Sequence, residues 1–235
     1  MAISMDLPSS RLGTKEFWEE AYRDDVARLE SNDDGDSDGG SCGEVWFGEG
    51  TARKVVAWIV ARVGDERSAR ILDLGCGNGH SLLLLRARGF RDLAGVDYSD
   101  HAIRLARLVA AREEEEEGGG SEIRFHVADV VRDASPRETE VDFVLDKGTW
   151  DAISLDPDSR IAESRLRYAR YVDAALKPSG CLLLSSCNWT REELLALLAE
   201  HFELEEELPA PTFSFGGKEG KRVTTLVLRK RTPHS

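Results

Sequence analysis

Hydrophobic positions along the chain change period several times. Phe17, Trp18, Tyr22 and Val26 recur at helical spacing between residues 14 and 30. Between 51 and 63, Val55, Val56, Ile59, Val60 and Val63 share one helical face. From residue 69 short apolar runs alternate with helical stretches. Arg70 to Leu74, Leu93 to Val96, Ile123 to Val127, Val141 to Leu145 and Gly180 to Cys187 read as strands. Helices are predicted over Ser81 to Arg88, from about Ser99 to Arg112, and over Ile161 to Leu176, the last with Tyr168, Val172 and Leu176 in register. Thr190-Arg-Glu-Glu193 is a capping box, and the helix it opens carries Leu194, Leu197 and Leu198. Phe202 to Leu208 and Arg222 to Arg229 then read as two strands with no helix between them, pairing antiparallel across a loop at 209–220. This alternation predicts an α/β fold: a doubly wound, mostly parallel seven-stranded sheet with helices on both faces and an antiparallel last strand.

Three segments fall outside that pattern. Residues 1–13 read as a loose terminus, 31–43 as an acidic flexible linker, and Glu113 to Gly120 as a low-complexity loop. The acidic tracts dominate the charge balance. Formal net charge is −13, and ten of the negatives are Asp33, Asp34, Asp36, Asp38, Glu44 and Glu113 to Glu117. Without those ten the chain stands at −3. That acidity excludes a protein held mainly by nucleic-acid phosphates. No apolar run is long enough to span a membrane, and Met1 to Arg11 carries no apolar block of a secretory signal. Cys42, Cys76, Cys181 and Cys187 form no C-x-x-C pair, which fits a reducing compartment better than a disulfide framework or a zinc ribbon.

Ile71-Leu-Asp-Leu-Gly-Cys-Gly-Asn-Gly79 sits at a strand-to-helix turn, where missing side chains let a ligand approach the backbone. Its spacing is G-x-G-x-G, with His80 where a dinucleotide fingerprint has its third glycine. Asp73 precedes Gly75 by two residues, and a carboxylate facing the pocket there suits a ligand ammonium rather than a pyrophosphate. Asp97 ends the second strand, 18 residues after Gly79, where an acid takes both hydroxyls of a ribose. Asp129 ends the third strand in His126-Val-Ala-Asp129, within reach of an exocyclic adenine amine. Ammonium, ribose and adenine without a pyrophosphate describe S-adenosylmethionine. The alternative is a tight turn in an ordinary α/β domain, and it stays open longest for Asp129.

At these residues the chain resembles the seven-strand, class I S-adenosylmethionine-dependent methyltransferases, whose fold is Rossmann-like, over residues 44–230. Within them it is similar to the protein-lysine methyltransferases acting on translation elongation factor 1-alpha, the methyltransferase-like ten group and its yeast counterpart. Leu12-Gly-Thr-Lys-Glu-Phe-Trp18, Glu44-Val-Trp-Phe-Gly-Glu49 and Asp146-Lys-Gly-Thr-Trp-Asp-Ala-Ile153 carry the closer likeness. The resemblance implies a monomeric enzyme acting on a protein lysine in the cytoplasm, with the nucleus as a second compartment and with no direct nucleic-acid or membrane partner. It divides the chain into residues 1–50, an N-terminal helix, linker and cofactor-covering segment, and a methyltransferase domain at 51–235. It implies a cofactor site made by Trp46, Phe47, Gly48, Asp73, Gly75, Cys76, Gly77, Asn78, Asp97, Tyr98, Ser99, Asp129, Val130 and Asp146.

Asp146 is also the candidate catalytic residue. A lysine nucleophile must be neutral, and a carboxylate at the pocket mouth could hold its ammonium and relay the proton to water. The alternative is that Asp146 only holds the cofactor or the turn. Trp46 and Phe47 could cover the cofactor, or plug the N-terminal segment onto the core. Lys147 and Asp151 read as ties between strand and helix, and Trp150 and Trp189 as lining or core. His80, His101, His126 and His201 lack metal-ligand spacing. Asp34, Asp36, Asp38 and Gly39 begin an EF-hand spacing, but Val45 stands where its final glutamate belongs. Competing functions are a methyltransferase acting on a small molecule, a catalytically silent methyltransferase-like subunit, and a nicotinamide dehydrogenase. No Pro-Pro-aromatic run follows the fourth strand and no Pro-Cys pair occurs, so nucleic-acid methyltransferases are disfavoured.

Overall fold

The computed structural model describes residues 7–31, 47–117, 121–157, 160–210, 212–215, 218–221 and 223–231. The acidic linker from 32 on, the EF-hand-like spacing and Trp46 lie outside the described residues.

A 3-10 turn at Arg11–Gly13 leads into helix α1 (Lys15–Glu30), where Thr14 accepts from the Phe17 N–H as the cap. Helix α2 (Gly48–Val63) follows, and then strands and helices alternate: β1 (Arg70–Leu74), α3 (His80–Arg86), β2 (Asp92–Asp97), α4 (Asp100–Glu117), β3 (Arg124–Val127) and β4 (Val141–Lys147). Next come α5 (Thr149–Ser154), α6 (Ile161–Ala175), β5 (Leu176–Ser186), α7 (Arg191–Leu198) and β6 (Phe202–Leu208). A two-stranded hairpin, β7 (Thr212–Phe215) with β8 (Lys218–Lys221), precedes β9 (Thr224–Lys230).

Seven strands form one sheet in the order β3-β2-β1-β4-β5-β9-β6. The pairs from β3 through β5 are parallel, and β9 runs antiparallel between β5 and β6. The doubly wound α/β sheet with an antiparallel last strand is therefore as the sequence predicts. Strands buried on both faces send alternate residues to opposite sides. Ile71, Leu93, Phe143, Leu145 and Leu183 pack with α2, α3 and α4 through Val56, Ile59, Leu82, Leu85 and Ile103. Leu72, Leu74, Val144, Leu182 and Leu184 meet α5, α6 and α7 through Trp150, Tyr168, Val172, Leu194 and Leu198. Helix α1 adds Val26 to the first cluster, and Ser99 donates to Glu19 at 2.9 Å, which fastens α1 to the start of α4.

Five expectations need correction. The described part of the terminus read as loose is instead packed: Ser10 N donates to Leu155 O at 3.0 Å and Leu7 joins the second cluster. Glu113 to Glu117 continue α4 rather than forming a loop, since glutamate is a good helix former and Arg86 reaches Ala110 O (3.2 Å) and Glu113 (3.4 Å). Helix α5 has no counterpart in the periodic pattern, because its start is capped by a side chain from outside the helix, described below. Leu176 opens β5, with extended backbone (φ −77°, ψ 142°), instead of closing α6. The stretch at 209–220 contains the β7–β8 hairpin.

The capping box stands as read: Thr190 accepts from the Glu193 N–H, and Glu193 accepts from the Thr190 N–H at 2.9 Å. Thr190→Ala should cost about 1 kcal/mol. Urea unfolding checks this, and a midpoint shift too small to correspond to half that value would show that the box does not hold α7.

Candidate active site

The C-terminal ends of β1, β2 and β4 open into a cavity of about 670 Å³. It lies where the strand order reverses between β1 and β4, the point at which such sheets take ligands.

The glycine loop forms its floor. Gly75 and Gly77 have φ of +62° and +52°, which favours glycine. A Cβ at Gly75 would stand 2.0 Å from Thr149 Oγ1, and one at Gly77 2.8 Å from Tyr22 Oη. The glycines thus make room for protein on both sides of the loop as well as for a ligand. Thr149 Oγ1 donates to Leu74 O at 2.7 Å, bracing the loop against α5. Cys76 and Asn78 line the cavity with them.

Asp97 ends β2 in the cavity wall, 4 % exposed. Its carboxylate accepts from Gly77 N (3.1 Å) and Ser99 N (3.0 Å). Burial pushes it up to about 6, and those two N–H groups hold it back from rising further. It therefore carries structure as well as facing the cavity. Ser99 lies behind the wall, where its hydroxyl accepts from Ala102 N (3.2 Å). The Lys15 ammonium sits 5.5 Å over the Tyr98 ring, and Tyr98 lines the cavity beside Asp97. Asp129 and Val130 line the far end of the same wall. Asp129 accepts from Val131 N (3.0 Å) and Arg132 N (3.1 Å), so it also shapes its own turn.

Five expected positions lie outside the wall, Ser99 among them. Asp73 is 3 % exposed and lies behind the wall rather than in it; burial pushes it up to about 7, opposed by Lys147, which does line the cavity. Phe47 and Gly48 are outside the wall, because Phe47 is the left-handed residue that starts α2 and its carbonyl accepts from Thr51 at 2.9 Å. Asp146 does not stand at the mouth. It is 1 % exposed, and its oxygens accept from Gly148 N (3.0 Å), Thr149 N (2.8 Å), Trp150 N (3.0 Å) and the Tyr168 hydroxyl (2.5 Å). Its carboxylate caps α5 from two residues before the N-cap Gly148. Burial pushes it up to about 7 against the pull of those donors. Asp151 ties α5 to the end of β5 through Ser186 (2.5 Å) and Cys187 N (2.8 Å). Trp150 and Trp189 are core.

The cavity has an outer half that the motifs did not show. Helix α1 supplies Trp18 and Tyr22, stacked at 5.8 Å, with Trp18 Nε1 donating to Leu12 O at 2.8 Å. Across from them stand Ile153, Asp156, Arg160, Glu163 and Arg167. Glu163 pairs with Arg167 at 2.6 Å and with Arg160 at 3.6 Å. The apolar face of α1 was visible in the sequence; its docking against the glycine loop, 55 residues from Tyr22 to Gly77, was not. Among the described residues no group of three His, Cys, Asp or Glu side chains comes together to hold a metal ion. The cavity combines a buried carboxylate bound to the glycine loop with an outer mouth of mixed charge, an arrangement suited to a nucleoside ligand meeting a second, polar reactant.

A family model described as "Methyltransferase domain" matches residues 65–230, more than half of the chain. EEF1A lysine methyltransferase 2 of Danio rerio is 39% identical over 227 residues, 97% of this chain and 91% of that protein. The chain belongs to the methyltransferase family of EEF1A lysine methyltransferase 2. Protein-lysine N-methyltransferase EFM4 of Saccharomyces cerevisiae is 33% identical over 98% of this chain and its own full length. Among solved structures, the magnesium protoporphyrin IX methyltransferase of Synechocystis with bound SAM has the same fold, with a TM-score of 0.61 at 18% identity over 95% of this chain and 99% of that one. The chain is accordingly a methyltransferase, and the cavity occupies the switch point of its methyltransferase sheet.

Asp146→Ala removes a cap and leaves four donors without their acceptor. Urea unfolding should show a loss of about 2–4 kcal/mol. An unchanged midpoint would mean that α5 holds its place without this carboxylate.

Proposed function

We propose that the chain transfers a methyl group from S-adenosylmethionine to a lysine side chain of translation elongation factor 1-alpha. The observation that carries this is likeness over nearly the whole chain to relatives named for that reaction, joined to a cavity at the switch point whose residues fit the cofactor. The fit is chemical. Asp97 offers a carboxylate for ribose hydroxyls, Asp129 and Val130 border the site where an adenine ring would lie, and Gly75 leaves backbone exposed. Bound S-adenosylmethionine supplies an electrophilic methyl group on its sulfonium.

The remaining work falls to the chain. Trp18 and Tyr22 cover the glycine loop and keep water from the transfer path. The incoming lysine enters as an ammonium and loses its proton to water before it reacts, since an unperturbed lysine titrates near pH ~10.4. Asp156, in the outer half of the cavity, draws and orients that ammonium. Asp146 serves as a positioning residue: it fixes α5, and α5 fixes Thr149 against the glycine loop.

We place the protein in the cytoplasm, with the nucleus as a second compartment, as a monomer with residues 1–50 as cover and 51–235 as the methyltransferase domain. The described cysteines Cys76, Cys181 and Cys187 are free thiols, which supports a reducing compartment. A formal net charge of −13 argues against direct nucleic-acid binding. No helix among the described residues is long and apolar enough to cross a membrane.

Tritiated cofactor supplied with purified elongation factor 1-alpha should label the protein, and supplied with total RNA should label nothing. Label in RNA alone would overturn the lysine reading. Label in neither would favour a small-molecule acceptor.

The raised Asp97 predicts a pH dependence. A folded-state value of about 6 means the carboxylate is protonated below that pH and loses acceptor capacity for the ribose. Affinity for S-adenosylhomocysteine should hold from pH 8 to 7 and fall about tenfold per unit below pH ~6. Calorimetric titration across that range checks it, and constant affinity down to pH 5 would remove Asp97 from the ribose.

A further inference from the structure

We propose that the N-terminal turn Arg11–Gly13 positions the acceptor: through its contact with Leu155 and Asp156 it sets where the incoming amine is held, and so governs affinity for the protein substrate rather than for the cofactor. The inference rests on the lysine-transfer reading above and assigns Gly13 as a positioning residue that acts through Asp156.

Helix α5 ends at Ser154, with Leu155 as its C-cap. The last carbonyls of a helix have no partner within it. Leu155 O finds one far away in the chain, accepting from Ser10 N at 3.0 Å. Gly13 is a glycine because of the same approach. A Cβ there would stand 2.3 Å from both Asp156 N and Leu155 C, far inside van der Waals contact. Both neighbours are backbone atoms, so neither can swing aside as a side chain would. The turn therefore lies directly on the two residues that leave α5, and the second of them is Asp156. Pro157 follows, which favours an extended backbone at Asp156 and limits how that residue can adjust.

The turn itself is stiff. Ser10 Oγ accepts from Leu12 N at 3.3 Å, and Gly13 N donates to Ser10 O at 2.9 Å. Thr14 donates to Arg11 O through its N–H (3.0 Å) and its hydroxyl (2.7 Å). Trp18 Nε1 donates to Leu12 O at 2.8 Å, which locks the turn to α1. Helix α1 is fastened separately, by the bond from Ser99 to Glu19 and by Val26 in the core. A disturbance at residue 13 therefore stays at the end of α1 that meets α5. The outer half of the cavity opens between these two elements, with Gly13, Thr14 and Glu16 on one side and Ile153 and Asp156 on the other. Asp97, Asp129 and Gly75, which fit the cofactor, take no part in the contact. Moving the turn thus moves Asp156 and leaves the cofactor's partners in place. An amine that attacks in line is sensitive to such a shift, since misplacement of about 1 Å is enough to slow a transfer strongly.

The test combines kinetics on purified elongation factor 1-alpha with calorimetry of S-adenosylhomocysteine, both on the full chain. Gly13→Ala should raise KM for the elongation factor about tenfold and change S-adenosylhomocysteine affinity by less than about twofold, because the acceptor's place moves and the cofactor's does not. The retained affinity also reports a folded cavity. Ser10→Pro removes the donor to Leu155 O without adding bulk at residue 13, and it should raise KM in the same direction. In an Asp156→Asn background, Gly13→Ala should add less than about twofold, since both changes act through one carboxylate. An unmoved KM in Gly13→Ala, a parallel loss of S-adenosylhomocysteine affinity, or additive effects in the double variant overturns the inference and leaves lysine transfer standing. If the unsubstituted chain binds S-adenosylhomocysteine but labels no elongation factor, the lysine reading falls and the inference with it.

Discussion

The hydrogen bonds gathered by the Asp146 carboxylate hold the turn on which half of the cavity is built. Three backbone N–H groups at the start of α5 and the phenol of Tyr168 all converge on it. The site is almost fully buried, so these donors have no water to turn to, and an unmet donor there costs a large fraction of a domain's net stability. From that cap the rest follows in sequence. Thr149 braces the carbonyl of Leu74 and crowds Gly75. Asp151 binds the end of β5. Tyr168 draws in α6, which carries the charged mouth. One six-residue helix thus sets β1, β4 and β5 relative to one another at the end where chemistry occurs.

The buried acids give this end of the sheet a common electrostatic bias. Asp73, Asp97 and Asp146 are all raised, first by burial, and Asp73 is raised further by the other two. Of the three only Asp97 faces the cavity, whose wall also carries Lys147 and other basic side chains. In the proposed reaction both reactants are cationic, a sulfonium and an ammonium, while the spent cofactor is a neutral thioether. An ionised Asp97 therefore attracts the loaded cofactor more than the spent one.

What could be read in the sequence was local. β1 came out with the residues the structure gives it, because an apolar run bounded by a glycine turn admits one reading. The capping box of α7 likewise depends on residues three apart. Helix α5 was missed because its cap lies outside the helix and six residues show no period. Glu113 to Glu117 looked like a loop by composition, although they extend a helix already formed. Within the site, Gly75, Gly77, Asp97 and Asp129 line the cavity, whereas Gly79 packs against Phe125 and Ala106. The direction of Asp146 was missed, although a parity count along β4 from Leu145 would have sent it to the opposite face. The contributions of α1 and α6 are contacts between segments far apart in the chain, and no local pattern encodes them.

The place of β9 in the sheet has a consequence for how the chain is made. It is among the last described segments in sequence, yet it sits between β5 and β6, with each of them as a hydrogen-bonded neighbour. A growing chain that has not yet delivered Thr224 to Lys230 holds β5 with one edge open and β6 with no partner strand among those described. Open edges recruit foreign strands, and non-local pairing is slow. Completion of the sheet therefore waits on delivery of β9, and until it arrives the facing edges of β5 and β6 are open to pairing with foreign strands.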